Sequence, residues 1–140
     1  MKLSIGSDHA GFKLKEIIKN HFEKSEYKVE DKGCSSEERV DYPDFAHAVA
    51  KSVENKETDF GILICGSGNG INMAANKHKT VRSALCWNSE IAMLARLHND
   101  ANIIALPGRF ISEEEAIKSV TTFLKTPFEG GRHKERVEKI

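Results

Sequence analysis

The chain has 140 residues, of which 39% are hydrophobic and 30% charged, and its 21 Lys and Arg balance 21 Asp and Glu. That length suits one domain with one core. The zero net charge sets up no bulk field for nucleic acid or an anionic membrane, and no apolar run approaches the ~20 residues that span a bilayer.

The three cysteines (Cys34, Cys65, Cys86) are odd in number and lack metal-site spacing. They point to reduced thiols in a cytoplasmic protein rather than to a disulfide frame. The opening MKLSIGSDHAG has no apolar h-region and no small-residue cleavage site, so no secretion signal is expected. Without repeats, low-complexity tracts or linkers, a single unit over 1–140 is expected.

In chain order, Lys2–Gly6 predicts a short strand running into SDHAG. A helix follows from Gly11 to about Lys24, with Phe12, Leu14, Ile17, Ile18 and Phe22 on its apolar side. Tyr27–Asp31 predicts a weaker strand, and KGCSSEERVDYPD a loop in which Tyr42-Pro43 favours extended geometry before a helix over Asp44–Glu54. Phe60–Ile64 predicts a third strand, ending in Cys65 and followed by a short helix to Asn76. Val81–Cys86 predicts the fourth strand, Ser89–Leu97 a helix and Ile103–Leu106 the fifth strand. Ser112 followed by Glu115 predicts a capping box for a helix to Leu124. Beyond Pro127 and Gly130-Gly131, RHKERVEKI predicts a basic, helical terminal segment.

Strands alternating with helices predict an α/β fold: a three-layer αβα, Rossmann-like arrangement with a five-stranded parallel sheet. In such sheets ligands bind beyond the carboxyl ends of the strands. Those positions hold Ser7, Asp8 and His9, then Cys65–Gly70, Cys86–Asn88 and Pro107–Arg109. His98-Asn99-Asp100 precedes the fifth strand, so its helix would have to carry it round to that rim.

The stretch DFGILICGSGNGINMAAN carries the most chemistry. Alternating Gly66, Gly68 and Gly70 let the backbone take φ > 0 and turn its N–H groups to a ligand. The following helix points its positive end at the same spot. Two readings fit this loop: an anion hole beside a reactive Cys65, or a tight turn with an inert, half-buried thiol. A dinucleotide site fits less well, because the glycines run G-x-G-x-G, and no Gly-Lys-Ser/Thr marks a phosphate loop. Asp8 reads either as a proton-handling group or as a turn cap. His98 reads as a general acid–base or as a histidine that complements a helix end. Arg109, Arg132 and Arg136 offer planar forks for phosphate, and the last two, four apart, would share a helix face; a solvated basic tail is the other reading. Trp87 could be core or pocket wall.

GSDHAG, DYPDFA, GILICGSGNGINMAANK, RSALCWN, LARLHNDANIIALPGR and FEGGRHKERVEKI together resemble the type B ribose-5-phosphate isomerases, a family that includes the galactose-6-phosphate isomerase subunits. The resemblance spans essentially the whole chain. Ser67 stands where many relatives have Thr. It implies an aldose–ketose isomerisation of D-ribose 5-phosphate and D-ribulose 5-phosphate through a cis-enediolate, a step of the non-oxidative pentose phosphate pathway, without metal or organic cofactor.

By that resemblance Cys65 is the base, and a helix N-terminus that draws a thiol pKa from ~8.5 into the ~3.5–7.5 range would suit it. The amides of Gly66, Ser67, Gly68, Asn69 and Gly70, with the Ser67 hydroxyl, hold the enediolate. His98 opens the sugar ring, with Asp8 on the hydroxyls and Asn99 assisting. His9, Arg109, Arg132 and Arg136 bind the phosphate, the last two from a neighbouring subunit, so the segment from about 127 to 140 reaches towards a partner in a homodimer or tetramer. Tyr42 and Asn76 border the sugar. The rival substrates are allose 6-phosphate and galactose 6-phosphate; the rival class is a non-catalytic phosphate- or nucleotide-binding module.

Overall fold

The computed structural model describes residues 1–140. Five strands, β1 (Lys2–Ser7), β2 (Lys28–Asp31), β3 (Phe60–Cys65), β4 (Ser83–Leu85) and β5 (Ile103–Pro107), form one all-parallel sheet in the order β2-β1-β3-β5-β4. Between and after them run α1 (Phe12–Glu23), α2 (Tyr42–Glu54), α3 (Asn69–Ala75), α4 (Ser89–Asn99) and α5 (Glu113–Lys125). A 3₁₀ turn, Gly131–His133, and one helical turn, α6 (Lys134–Val137), close the chain. The expected αβα architecture with a five-stranded parallel sheet is what the chain adopts.

Strand side chains alternate faces, and this chain uses both. Ile62, Ile64, Ile104 and Leu106 join Leu3 and Ile5 in one core layer beneath α1, α4 and α5, where Ile18, Ala92, Ala95, Val120 and Phe123 meet them. Leu63, Cys65, Ile103 and Ala105 face the opposite layer and pack against Ala46, Val49 and Ala50 of α2 and Ile71 and Ala75 of α3. Each fully buried Leu, Ile or Phe contributes about 1.5–3 kcal/mol of transfer free energy, so the continuous apolar runs of β3 and β5 hold both layers to the sheet.

Several expectations change in detail. Tyr42-Pro43 does not lie in extended chain: Pro43 occupies the first turn of α2, where its missing N–H has no helical partner to lose. The extended residue is Asp41, at φ −95° and ψ 118°. The fourth strand shrinks to Ser83–Leu85, because the Arg82 N–H is taken by Asn102 Oδ1 at 2.8 Å. The Ser112 capping box is half formed. Ser112 Oγ accepts from the Glu115 N–H at 3.1 Å, but the Glu115 carboxylate reaches across to accept from the Ser89 N–H at 2.6 Å. That bond ties the start of α4 to α5 and holds the Glu115 carboxyl below its usual range.

One charge is fully buried. Lys15 of α1 donates to Asp31 Oδ2 at 2.5 Å and to Glu16 Oε1 at 2.8 Å, and Lys19 donates to the same two carboxylates at 2.9 Å. Asp31 also accepts from the Gly33 N–H at 2.9 Å, so this network fixes the loop leaving β2.

Candidate active site

The carboxyl ends of three adjacent strands are stitched together by backbone hydrogen bonds. Ser7 pairs with Ile64 and Cys65 with Pro107. Beyond the strands, the Asp8 N–H donates to Ile64 O (3.2 Å), Gly108 N–H to Cys65 O (2.8 Å) and Arg109 N–H to Gly66 O (3.0 Å). Asp8, His9, Cys65, Gly66 and Arg109 therefore share one rim. The glycine loop turns there because Gly68 sits at φ 77°, where an added Cβ would collide with Leu85 Cδ1 and stand 3.1 Å from the Leu106 carbonyl carbon. A Cβ on Gly70 would fall 2.5 Å from the Tyr42 ring, so the Tyr42 phenol covers the loop.

Cys65 lies deeper than a thiol on an open rim: it is 4% exposed and packs in the core layer of α2 and α3. Its Sγ accepts the Gly68 N–H at 3.2 Å. The Cys34 thiol lies beside the strand end that leads into Asp8, its Sγ 3.9 Å from Ser7 Oγ. Cys34 is buried, and burial pushes the Cys86 thiol up to about 12. Ser67 is exposed, and its Oγ accepts from the Asn69 N–H at 3.3 Å.

Asp8 is buried, with Oδ1 accepting from the Gly11 N–H at 3.0 Å. His9 Nδ1 accepts from the Val40 N–H at 3.2 Å. An accepting Nδ1 in a neutral ring leaves the proton on Nε2, which becomes a donor. The Arg109 guanidinium lies over Gly66, Nη1 being 3.2 Å from where a Cβ would stand. A thiol, a carboxylate, an imidazole donor, an arginine and loop amides thus converge, a set able to bind an anionic substrate and move a proton. Trp87 is 54% exposed, so it is not core. The Asn76 side chain is engaged with the Ser83 backbone, by its Nδ2 to O and its Oδ1 from N–H, both at 2.8 Å.

His98 and Asn99 lie elsewhere. Helix α4 leaves the carboxyl end of β4 and runs back for 11 residues, about 16 Å at 1.5 Å per residue. It ends beside the start of β5, where the Asn99 carbonyl accepts from Arg82 Nε at 3.2 Å. The helix thus delivers His98 to the rim opposite Cys65 of the same chain. This overturns the expectation that it swings round to the glycine loop, since a crossover helix between parallel strands must run antiparallel to them.

Two features that sequence reasoning gave no role hold this second rim. Buried Arg96 donates to Ala101 O (2.6 Å), Asp100 Oδ1 (2.9 Å) and Thr126 O (3.2 Å), and stacks on the Phe60 ring 4.9 Å away. Asp100 closes α4 at φ 45°, pinned on its other side by Arg82 Nη2 at 3.0 Å. The His98 ring stacks on buried His133, with centroids 4.3 Å apart and an interplanar angle of 13°. Burial first, and the charge His98 takes up second, hold His133 below the usual imidazole range. Arg132 and Arg136 fall on the 3₁₀ turn and on α6 rather than on one regular helix, both exposed and in no ion pair within the chain.

The profile of one protein family, described as Ribose/Galactose Isomerase, matches residues 3–140. A probable ribose-5-phosphate isomerase B of Mycoplasma genitalium is 49% identical over 138 residues, covering 97% of this chain and 91% of the relative. Among solved structures, ribose-5-phosphate isomerase B of Clostridium thermocellum superposes with a TM-score of 0.98 at 50% identity, over 99% of this chain and 94% of that one. The Mycoplasma genitalium enzyme, solved with bound ribulose-5-phosphate, gives a TM-score of 0.94 at 47% identity, over 99% and 92%. Its sequence over nearly its full length and its fold thus agree, and the chain belongs to the ribose/galactose isomerase family.

Proposed function

We infer that the chain interconverts D-ribose 5-phosphate and D-ribulose 5-phosphate through a cis-enediolate, and that each active site is built from two copies. The observation that carries the reading is the Cys65 sulfur, seated under the Gly66–Gly70 loop with one amide already donated to it. The isomerisation takes a proton from carbon 2 and returns it to carbon 1. Cys65, as thiolate, is the base for both transfers, and its near-burial keeps that proton from exchange with water.

Negative charge then grows on the oxygens of carbons 1 and 2. The Ser67 hydroxyl and those amides of the Gly66–Gly70 loop not already given to Cys65 Sγ (Gly68) or Ser67 Oγ (Asn69) supply fixed donors to that charge; losing one such donor typically costs ~2.7–4 kcal/mol of barrier. Asp8 keeps Oδ2 free for a sugar hydroxyl, since Oδ1 is taken by Gly11. His9, through Nε2–H, and Arg109 hold the phosphate.

Ring opening needs a second acid–base group, which this role assigns to His98 with Asn99 beside it. Within one chain His98 lies at the far rim, so the pair that meets Cys65 comes from a second copy, together with Arg132 and Arg136 for the phosphate. Their exposure and lack of partners within the chain support that assignment.

The test is turnover of ribose 5-phosphate, allose 6-phosphate and galactose 6-phosphate by wild type and Cys65→Ala. The pentose is the expected substrate. Cys65→Ala should lose turnover by about 10²–10⁴-fold, the usual worth of a general base, while still binding ribulose 5-phosphate. Full activity in that variant removes the thiol base.

A further inference from the structure

His98, Glu129 and His133 bring three ligand atoms together at the second rim. Glu129 Oε2 stands 3.8 Å from His98 Nε2 and 3.6 Å from His133 Nε2, and all three atoms lie within 4.8 Å of one another. These gaps are too long for hydrogen bonds. The His133 side chain is 7% exposed, and its Nε2 is buried without any hydrogen-bond partner. A buried nitrogen left unpaired beside a carboxylate, with a second imidazole stacked on its ring, is open to a ligand that the chain itself does not supply.

The chain goes to some length to build it. Gly130 (φ 70°) and Gly131 (φ 55°) both adopt the left-handed region, with nothing within 4 Å of an added Cβ, so their conformation and not crowding requires glycine. That double turn folds His133 back onto the end of α4. Glu129 is tied to the same helix by its N–H to Leu97 O at 3.1 Å. The His47–His78–Glu54 chain offers a contrast: its ring nitrogens are already engaged at 2.9 and 3.0 Å, leaving no room for an ion.

We propose that His98, Glu129 and His133 form a site for a zinc-class divalent cation, whose binding switches the isomerase off by capturing His98. Two imidazoles and a carboxylate suit Zn²⁺, Co²⁺ or Ni²⁺ rather than Mg²⁺, which demands an oxygen shell. Ligands 2.0–2.1 Å from zinc at the tetrahedral angle stand about 3.3–3.4 Å apart, close to both gaps from Glu129, and the partly exposed His98 ring must also turn out of its stack on His133 to bring its nitrogen to the ion. Water fills the fourth position. Ring opening needs an imidazole that accepts and returns a proton. A cation on His98 Nε2 removes one of its two nitrogens and locks the ring. The switch rests on the role assigned to His98 above; the site itself does not.

Zinc titration by calorimetry on the chelator-treated full-length protein tests the site, with turnover measured in parallel. One zinc per chain is expected in wild type and equally in Cys65→Ser, which has no turnover but keeps all three ligands. Affinity should fall by about 100-fold or more in His133→Asn and in Glu129→Ala, since losing even an outer-shell partner of a metal costs up to about 100-fold. Glu129 is a surface residue, so its variant keeps the test alive if His133→Asn fails to fold. Wild-type turnover should fall as zinc saturates and return on adding chelator, with a correspondingly higher half-inhibiting concentration for Glu129→Ala. No binding, binding untouched by both substitutions, or binding lost in Cys65→Ser (zinc on the thiol) overturns the site. Zinc held by these ligands with turnover unchanged overturns the switch. If wild type lacks isomerase activity altogether, the isotherms still decide the site, so the two failures are told apart.

Discussion

The two rims of the sheet are made by different means. Around Cys65 the backbone does the positioning: strand ends joined by amide–carbonyl bonds and a loop whose shape rests on Gly68. Around His98 side chains do it: Arg96, Arg82 and Asp100 clamp the end of α4, and His133 backs the imidazole. The backbone-built rim offers rigid donors where charge develops, which requires positions fixed before reaction. The side-chain-built rim ends in exposed arginines, suited to gripping a phosphate presented from outside.

The strongest way to break this comparison is to mix inactive chains. Cys65→Ala and His98→Ala should each be nearly dead alone. If sites form between copies, random mixing makes half the dimers mixed with one whole site each, restoring about a quarter of wild-type turnover. No recovery after co-refolding would mean that both residues serve the same chain's site.

Next in size is Gly68→Ala, which forces a side chain into the left-handed region and against Leu85. It should cost about 2–4 kcal/mol of stability, seen as a lowered midpoint in chemical unfolding, and reduce turnover with it. An unchanged midpoint would show that the loop is looser than its geometry implies.

Arg136→Ala probes the other rim and should leave the fold intact. It should raise the Michaelis constant by about 10–100-fold, the worth of one charge-assisted contact, and lower turnover less. An unchanged Michaelis constant removes the phosphate role.

The smallest effect concerns acid. Burial alone would raise the Asp31 carboxyl, but hydrogen bonds from Lys15 and Lys19 outweigh it and hold it below its usual range. A carboxyl lowered in the folded state contributes stability that is present above its unfolded pKa, about 3.9, and is lost as pH falls through the folded value. Melting temperature between pH 5 and pH 3 should fall more steeply for wild type than for Asp31→Asn. The variant should be destabilised by about 1–3 kcal/mol at neutral pH because Lys15 stays buried. Parallel slopes would exclude Asp31 as the acid-sensitive group.

Much of the backbone-built rim was legible in the chain, because its determinants are local. The apolar run, Cys65 and alternating glycines fix strand, turn and helix within eighteen residues, and the parallel sheet follows from alternation of elements. The second rim was legible only as a list of residues. HNDAN marks a helix end, but which end of the sheet it meets depends on the direction of α4, a property of the crossover and not of the motif. His133 reads as one more basic residue in RHKER; only the double glycine turn, acting in three dimensions, buries it against His98. Lys15 sits in FKLKEIIK with no local mark of burial, since its carboxylate partner Asp31 is on another element. The half-formed capping box has the same origin: Ser112 and Glu115 have the right spacing, but Ser89, far away in sequence, competes for the carboxylate and wins.

The Asn76 amide has one more consequence. Strand β4 is one of the two open margins of the sheet, and Asn76 offers Ser83 the same donor and acceptor that a sixth strand would. An unprotected margin of this kind invites a neighbouring backbone to add on, and from there to fibrous growth. With the outward-facing Ser83 satisfied inside its own molecule, a second copy is steered away from extending the sheet. On this side of the sheet a copy is left to approach through helices and loops, where side chains rather than main chain decide who fits.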